Sequence, residues 1–522
     1  MTESSGADPV NKRIGLFIIS LMIGAAAIAG ALLCEQTSDE AKERTTLSWT
    51  DEQIMTLPYF EIVASGDENR NMPCDIKGYS IGDGFIHLLL PDSVPEKAVV
   101  IYIMDGYGNN LARRVCDFTG QVMIGPWTVL LEHHALPAVY FTSDIPGSFD
   151  VMVTSETKDI TCEGNIRICL NGEVSPAGDV SDTHVTLRGR GSTSWSDASS
   201  KRSCTLSLDK PQNLLGLGKN RNWNLIGNAF DRSLVRNVTF NKMSRDLGIE
   251  YQPNMQNVNL YADGVYRGVY TLTTKVSVDK DRVALRFGDY MYRLDPSVPE
   301  FPIPYTSTTW FKDSDIDYPV ADLVYPQMPE DVTKATLILQ NFINVRDDPL
   351  VPGFDKICDL RNLAKYYWIQ EITMNYDACS RSTYLYYKGS EGMIRFGPVW
   401  DMDLTLGVTA DKQDVDFGEP MGWKIRELGW YKSLFQRPEF VEIVNDEYYN
   451  GGVRDAMLDG AVLLSEQRAH LGNDAYLDFL FYKDASLLGF EYPFGDTYDE
   501  YCDNMIAFYQ ARADWIDGQM SR

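Results

Sequence analysis

The chain has 522 residues, 44% of them hydrophobic and 12% aromatic, and its 47 Lys+Arg against 74 Asp+Glu leave a net charge of −27. That hydrophobic content excludes a disordered chain, and the length predicts about two to four domains of ~150 residues. The acidic balance excludes a general nucleic-acid binder, which needs clustered Lys/Arg to displace counterions from phosphates. It suits a divalent metal or basic partners.

Residues 1–34 read as a membrane segment. Ile14 to Leu33 is an uncharged apolar run, about the 20 residues that span a bilayer core. Lys12 and Arg13 precede it and Glu35, Asp39 and Glu40 follow. The positive-inside rule then predicts a single-pass protein of the cell membrane with its C-terminal part extracellular. A cleaved signal peptide competes, because Ala27-Ile28-Ala29 has the form of a cleavage site and would make the protein secreted. Both readings export the bulk of the chain.

Of nine cysteines, none forms a CxxC pair, and there are five histidines, so no structural zinc site is expected. An exported chain permits disulfides, with Cys162–Cys169 and Cys74–Cys116 as pairs to set against free buried thiols. His133-His134 reads as a solvated loop pair.

Residues 35–57 are polar and acidic, a linker. Residues 58–135 alternate in short runs such as Phe85 to Leu90 and Ala98 to Ile103, which predicts a small all-β domain. From 136 to 522 the pattern is α+β. Strands are expected at Ala138 to Thr142 and His184 to Arg188, with a hairpin turning at Asp263-Gly264 between Val258 to Tyr261 and Tyr266 to Thr273. Asp231 is placed to cap a helix from Arg232 to Leu247. Pro296 to Pro326, rich in Pro, Ser, Thr and Asp, reads as loops. Asp359 is placed to cap a helix Leu360 to Asn375, and further helices are expected at 439–449, 453–471 and 498–520.

Two constellations point to chemistry. In the first, Asp377 follows the helix Leu360 to Asn375 and precedes a hairpin whose second strand runs into Trp400-Asp401-Met402-Asp403. Carboxylates at the mouth of a buried strand are poorly hydrated unless a hard cation satisfies them. The order helix, Asp, hairpin, Asp is that of protein kinases, where one Asp orients the acceptor hydroxyl and a later one holds Mg²⁺. In the second, Arg188-Gly189-Arg190-Gly191-Ser192 follows a strand and Lys201 comes shortly after, an arrangement suited to cradling phosphates. A flexible hairpin loop is the plainer account of the same residues.

The blocks LRGRGSTSW, KRSCTLSLDKPQNLLGLGKNRNWNLIGNAFDRSLVRN, VNLYADGVYRGVYTLTTKV, YYWIQEITMNYDACSRSTYLYYKG and FGPVWDMDLTLG resemble, in order and character, the spore-coat CotH kinase family over residues 136–520. The resemblance implies a diverged bilobal kinase-like fold that uses ATP and Mg²⁺ or Mn²⁺ to phosphorylate Ser/Thr of extracellular or coat proteins. It implies Asp377 as the catalytic Asp and Asp401 as metal ligand with Asp403 beside it. It also implies that Arg188, Gly189, Gly191, Ser192 and Lys201 face the nucleotide. The chain departs from the pattern at Ser382, which stands where kinases keep a metal-binding Asn, and at Thr274, where the family commonly has Glu. A catalytically inactive surface protein that binds glycans or proteins is the rival reading. Hydrolase and Rossmann readings lack a GxSxG elbow and a GxGxxG within a βαβ unit.

Overall fold

The computed structural model describes residues 59–64, 74–76, 78–80, 85–90, 99–104, 110–116, 120–124, 127–170, 173–174, 183–191, 193–195, 201–295, 301–309, 319–482 and 490–521. The apolar run 14–33 and the linker 35–57 lie outside them. Among the described residues no helix is long and apolar enough to cross a membrane.

The architecture is mixed α+β. Among the described residues, seven strands close on themselves in the order Lys219–Ile226, Cys204–Asn213, Thr183–Gly189, Thr161–Leu170, Ala138–Ser143, Met255–Ala262 and Val265–Thr274, the last pairing back to the first. Their alternating inward residues, including Val185, Leu187, Leu206, Leu208, Trp223, Leu225, Leu260 and Leu272, form one dry core with Phe149 and Met152 of the helix Ser148–Thr154. Closure pairs every strand on both sides and removes sheet edges. The hairpin at Asp263-Gly264 is present, with φ of 51° and 80° at the two residues.

Residues 58–135 do contain strands, in two groups. Gly78–Ser80, Phe85–Leu90, Trp127–His133 and Gly120–Ile124 form one sheet, while Cys74–Ile76, Tyr59–Ala64, Val99–Met104 and Asn110–Cys116 extend the barrel's sheet through the pairing of Asp75 with Val265. His134 is not a solvated loop residue. It is buried, with Nδ1 against Asp474 and Nε2 2.6 Å from the Tyr261 hydroxyl. Cys162 is a free buried thiol, so the Cys162–Cys169 bridge is not formed. Cys74 and Cys116 lie outside the described side chains.

A second sheet orders Pro302–Pro304, Val320–Tyr325, Tyr290–Leu294, Thr383–Lys388 and Met393–Phe396. Part of the segment read as loops, 296–326, therefore contributes strands. The helix Val332–Asp347, not foreseen from the sequence, buries Ala335, Leu339, Phe342, Ile343 and Arg346, a helical spacing. The expected helix 453–471 divides into Val453–Leu458 and Gly460–Leu471.

The central helix is Leu360–Thr373. Asp359 caps it by accepting from the Asn362 N–H, and its residues from Tyr366 to Thr373 are all buried. A helix buried all round must satisfy its polar side chains internally. Glu371 does so fully. It accepts from the Lys424 and Arg426 backbone N–H groups at 2.7 and 2.9 Å, from the Tyr367 hydroxyl at 3.1 Å and from Arg512 at 2.5 Å. Arg512 belongs to the last helix, Tyr498–Met520, which starts with a Thr497/Glu500 capping box.

The helix expected from Asp231 begins later, at Arg236–Asp246 with Val235 in the N-cap position, because Leu234 adopts a left-handed φ of 64°. Asp231 still satisfies its start, accepting from the Ser233 and Arg236 N–H groups at 3.0 and 2.9 Å. Arg236 pairs with the same carboxylate at 2.5 Å, and both side chains are fully buried. The guanidinium also donates to the Thr405 and Leu406 carbonyls at 3.0 and 3.4 Å and lies 4.3 Å from the Tyr492 ring centroid.

Removing one partner of a buried ion pair leaves the other charge uncompensated. Arg236→Met is therefore expected to lower unfolding stability by ~3–5 kcal/mol in a urea titration. A loss below about 1 kcal/mol would show that the pair does not hold the layers together.

Candidate functional site

Asp377 reaches its place through the end of the central helix. Met374 closes that helix with a φ of 53°, after which Asn375 Nδ2 donates to Gln370 Oε1 at 2.7 Å and Asn375 Oδ1 accepts the Asp377 N–H at 3.0 Å. Such an Asx turn fixes the residue two positions on. Two backbone hydrogen bonds then join this stretch to the one after Asp403: Tyr376 N–H to Leu404 C=O at 3.0 Å and Leu406 N–H to Thr373 C=O at 2.9 Å. This pairing brings the helix exit and the Trp-Asp-Met-Asp segment side by side.

The segment itself is held from three directions. Asn237, in the first turn of the helix Arg236–Asp246, accepts the Met402 N–H at 2.9 Å. The Tyr492 hydroxyl donates to the Asp403 carbonyl at 2.6 Å, and Thr405 Oγ1 to the Met402 carbonyl at 2.7 Å. Within this frame Asp401 takes a left-handed φ of 62° and Ser382 one of 51°. A non-glycine residue in that region costs free energy and persists only where its surroundings enforce it. The Ser382 hydroxyl donates to Asp401 Oδ2 at 3.1 Å.

The carboxylates lie in one another's electrostatic field. Burial pushes the Asp403 carboxyl well above the ordinary carboxylate range, and the negative charges of Asp401, Asp377 and Asp231 push it further, in that order. Burial raises Asp401 as well, opposed by Arg190, by the Ser382 hydrogen bond and by Arg293, with Asp295 adding to the rise. Asp377, Asp401 and Asp403 all keep partial exposure. The three carboxylates are the hard oxygen donors that Mg²⁺ or Mn²⁺ takes, although among the described residues they are not drawn into a ready-made cluster with all ligand atoms within 4.8 Å of one another.

The cations that act most on Asp401 are Arg190 and Arg293 rather than Lys201. Lys201 is buried and ion-paired with Asp478, with its Nζ 5.4 and 4.8 Å from the Tyr270 and Tyr482 ring centroids. Burial lowers the Lys201 pKa and raises that of Asp478, which also accepts the Val269 N–H at 2.6 Å. Arg188 has partners of its own. Its side chain faces outward on the strand Thr183–Gly189, donates to the Lys158 carbonyl at 3.1 Å and lies 3.5 Å from Asp159.

The loop's glycines answer demands of its own packing. A Cβ at Gly189 would come within 2.4 Å of the Trp195 ring, and Gly191 has a φ of 96°. Ser192 lies outside the described residues. Arg190, between the two glycines, sits 5.7 Å from the Trp400 ring centroid. Arg293, in the strand Tyr290–Leu294, pairs with Asp322 at 3.1 Å and hydrogen-bonds the Tyr384 hydroxyl. Thr274 lies buried at the end of its strand, its N–H bonded to the Asn254 carbonyl at 3.2 Å.

The family model described as CotH kinase protein matches residues 187–516. The chain belongs to the CotH kinase family. None of the curated proteins compared with it is similar to it. The matched span includes the glycine loop, the helix Arg236–Asp246, Asp377 and the Trp400 to Asp403 segment. Membership makes it a kinase-like protein, and a family of this kind uses ATP with a divalent metal in general.

A carboxyl whose folded pKa is raised contributes most favourably at acid pH, and its penalty grows as the pH climbs from the unfolded value, near 4, towards the folded one. Asp403→Asn removes that penalty. The metal-free variant should melt about 1–3 °C above the wild type at pH 8, with a smaller difference at pH 4.5. A variant that melts lower at both pH values would mean that Asp403 is not held against repulsion.

Proposed function

We propose that this CotH kinase is an exported, membrane-anchored phosphotransferase that moves the γ-phosphate of ATP to Ser/Thr hydroxyls of extracellular or coat proteins. What supports phosphoryl transfer is the family together with the charge coupling of Asp403 to Asp401 and Asp377, and of Asp401 to Arg190 and Arg293. The barrel supplies Arg190 and the helical part supplies the acids, which suits a nucleotide held between two lobes.

Phosphoryl transfer depends on positioning and charge compensation more than on covalent chemistry. Asp401, with Asp403 beside it, would hold the divalent cation, whose charge supports that of the β- and γ-phosphates when bound. Asp377 accepts the proton of the incoming hydroxyl and orients its oxygen. Arg190 and Arg293 bind phosphate oxygens and offset their charge. Ser382, by donating to Asp401, fixes the direction of that carboxylate.

The exported polypeptide, incubated with labelled ATP, Mn²⁺ and a Ser/Thr-containing basic protein, is expected to incorporate phosphate. Asp377→Asn and Asp401→Asn should each lower the rate by at least about 100-fold while leaving the fold intact, and Arg190→Met by about 10-fold or more. Incorporation that persists in both Asp variants would refute the assignment. Mn²⁺·ATP that raises the wild-type melting temperature with no incorporation would favour a kinase-like binding module instead.

A further inference from the structure

The outer face of the barrel carries a second group of ligand-type side chains, remote from Asp401. Asp144, Glu163 and His184 come from neighbouring chain segments: Glu163 pairs with Thr186, two residues from His184 on the same face, and the Asp144 N–H donates to the Glu163 carbonyl at 2.9 Å. One ligand atom from each of the three lies within 4.8 Å of the other two. His184 Nε2 stands 3.5 Å from Asp144 Oδ2 and 4.0 Å from Glu163 Oε2.

These separations are long for N–H···O hydrogen bonds, which centre near 2.9 Å. They do match the edges of a coordination polyhedron, since tetrahedral ligands at 2.0–2.1 Å from Zn²⁺ are about 3.4 Å apart. On the other side of the ring, His184 Nδ1 faces Asp209 Oδ2 at 3.5 Å. That is also long for a hydrogen bond, but a small side-chain movement would bring the carboxylate to the position from which it orients a metal-bound imidazole. Asp209 arrives from the next strand, following Leu208, which pairs with Val185. Among the described residues, the ion pairs of Asp144, Glu163 and Asp209 all run to His184.

We propose that Asp144, Glu163 and His184 form a divalent-metal site of the Zn²⁺ class, with Asp209 orienting the imidazole. The donor set selects the class: imidazole nitrogen suits Zn²⁺ or Ni²⁺, whereas Mg²⁺ and Ca²⁺ prefer all-oxygen ligands. Three protein ligands on an exposed face leave a position open to water or to an external ligand. The site is separate from the Asp401 region. His184 lies six residues before Arg190 along nearly straight strand, roughly 20 Å away. A bound ion would tie together three neighbouring strands of the barrel.

The test is a calorimetric titration of Zn²⁺ into the exported polypeptide with excess Mg²⁺ present to fill the all-oxygen sites. The wild type should show one Zn²⁺ equivalent that His184→Ala and Glu163→Gln each weaken at least about tenfold, and Asp209→Asn about tenfold. Replacing Zn²⁺ by Co²⁺ should give a visible absorption band that His184→Ala removes. Metal-free melting temperatures, expected to be unchanged because the residues are exposed, verify that the variants fold. Zn²⁺ binding that His184→Ala leaves unaltered, or no binding by the wild type, would overturn the proposal.

Discussion

The buried ion pair between Arg236 and Asp231 is the constraint on which the rest of the arrangement depends. A guanidinium removed from water must find a partner for its charge and for its N–H groups. Arg236 finds Asp231 at the start of its own helix, the Thr405 and Leu406 carbonyls just beyond the acidic segment, and the Tyr492 ring near the last helix. One side chain thereby ties the turn between the barrel strand Lys219–Ile226 and the helix Arg236–Asp246 to both other parts of the fold. Asn237, the next residue, uses that attachment to grip Met402 between Asp401 and Asp403.

Holding acids together in this way runs against their mutual repulsion, and the surroundings show the compensation. Asp231 has Arg236 as its own counter-ion, Asp401 lies in the fields of Arg190 and Arg293, and Ser382 supplies a hydroxyl. Asp403 has no cation among its leading influences and is raised the most strongly of the group. The chain's overall charge of −27 makes the local positive field of two arginines the more consequential for an anionic nucleotide.

Much of the local structure was legible because it rests on short-range signals. The Asp359 cap, the Asp-Gly hairpin and the last helix depend on residues a few positions apart. Barrel closure was not legible, because the pairing of 219–226 with 265–274 is set by long-range packing that period-two alternation does not encode. The helix Val332–Asp347 did carry a signal, in the spacing of Ala335, Leu339, Phe342 and Ile343. In the site, the order of Asp377, Asp401 and Asp403 around a hairpin was legible. The partner of Lys201 was not, because Asp478 lies 277 residues on. Nor was the influence of Arg293 on Asp401, which comes from a different sheet.

Titration of Mn²⁺ at neutral pH tests most directly the proposal that Asp401 and Asp403 act together on a divalent cation. Calorimetry of the wild type is expected to show Mn²⁺ binding that Asp401→Asn and Asp403→Asn each weaken at least about tenfold, and that weakens as the pH is lowered, because burial and the neighbouring carboxylates favour the protonated form of Asp403. Mn²⁺ binding that both substitutions leave unaltered, or no binding by the wild type, would contradict the account.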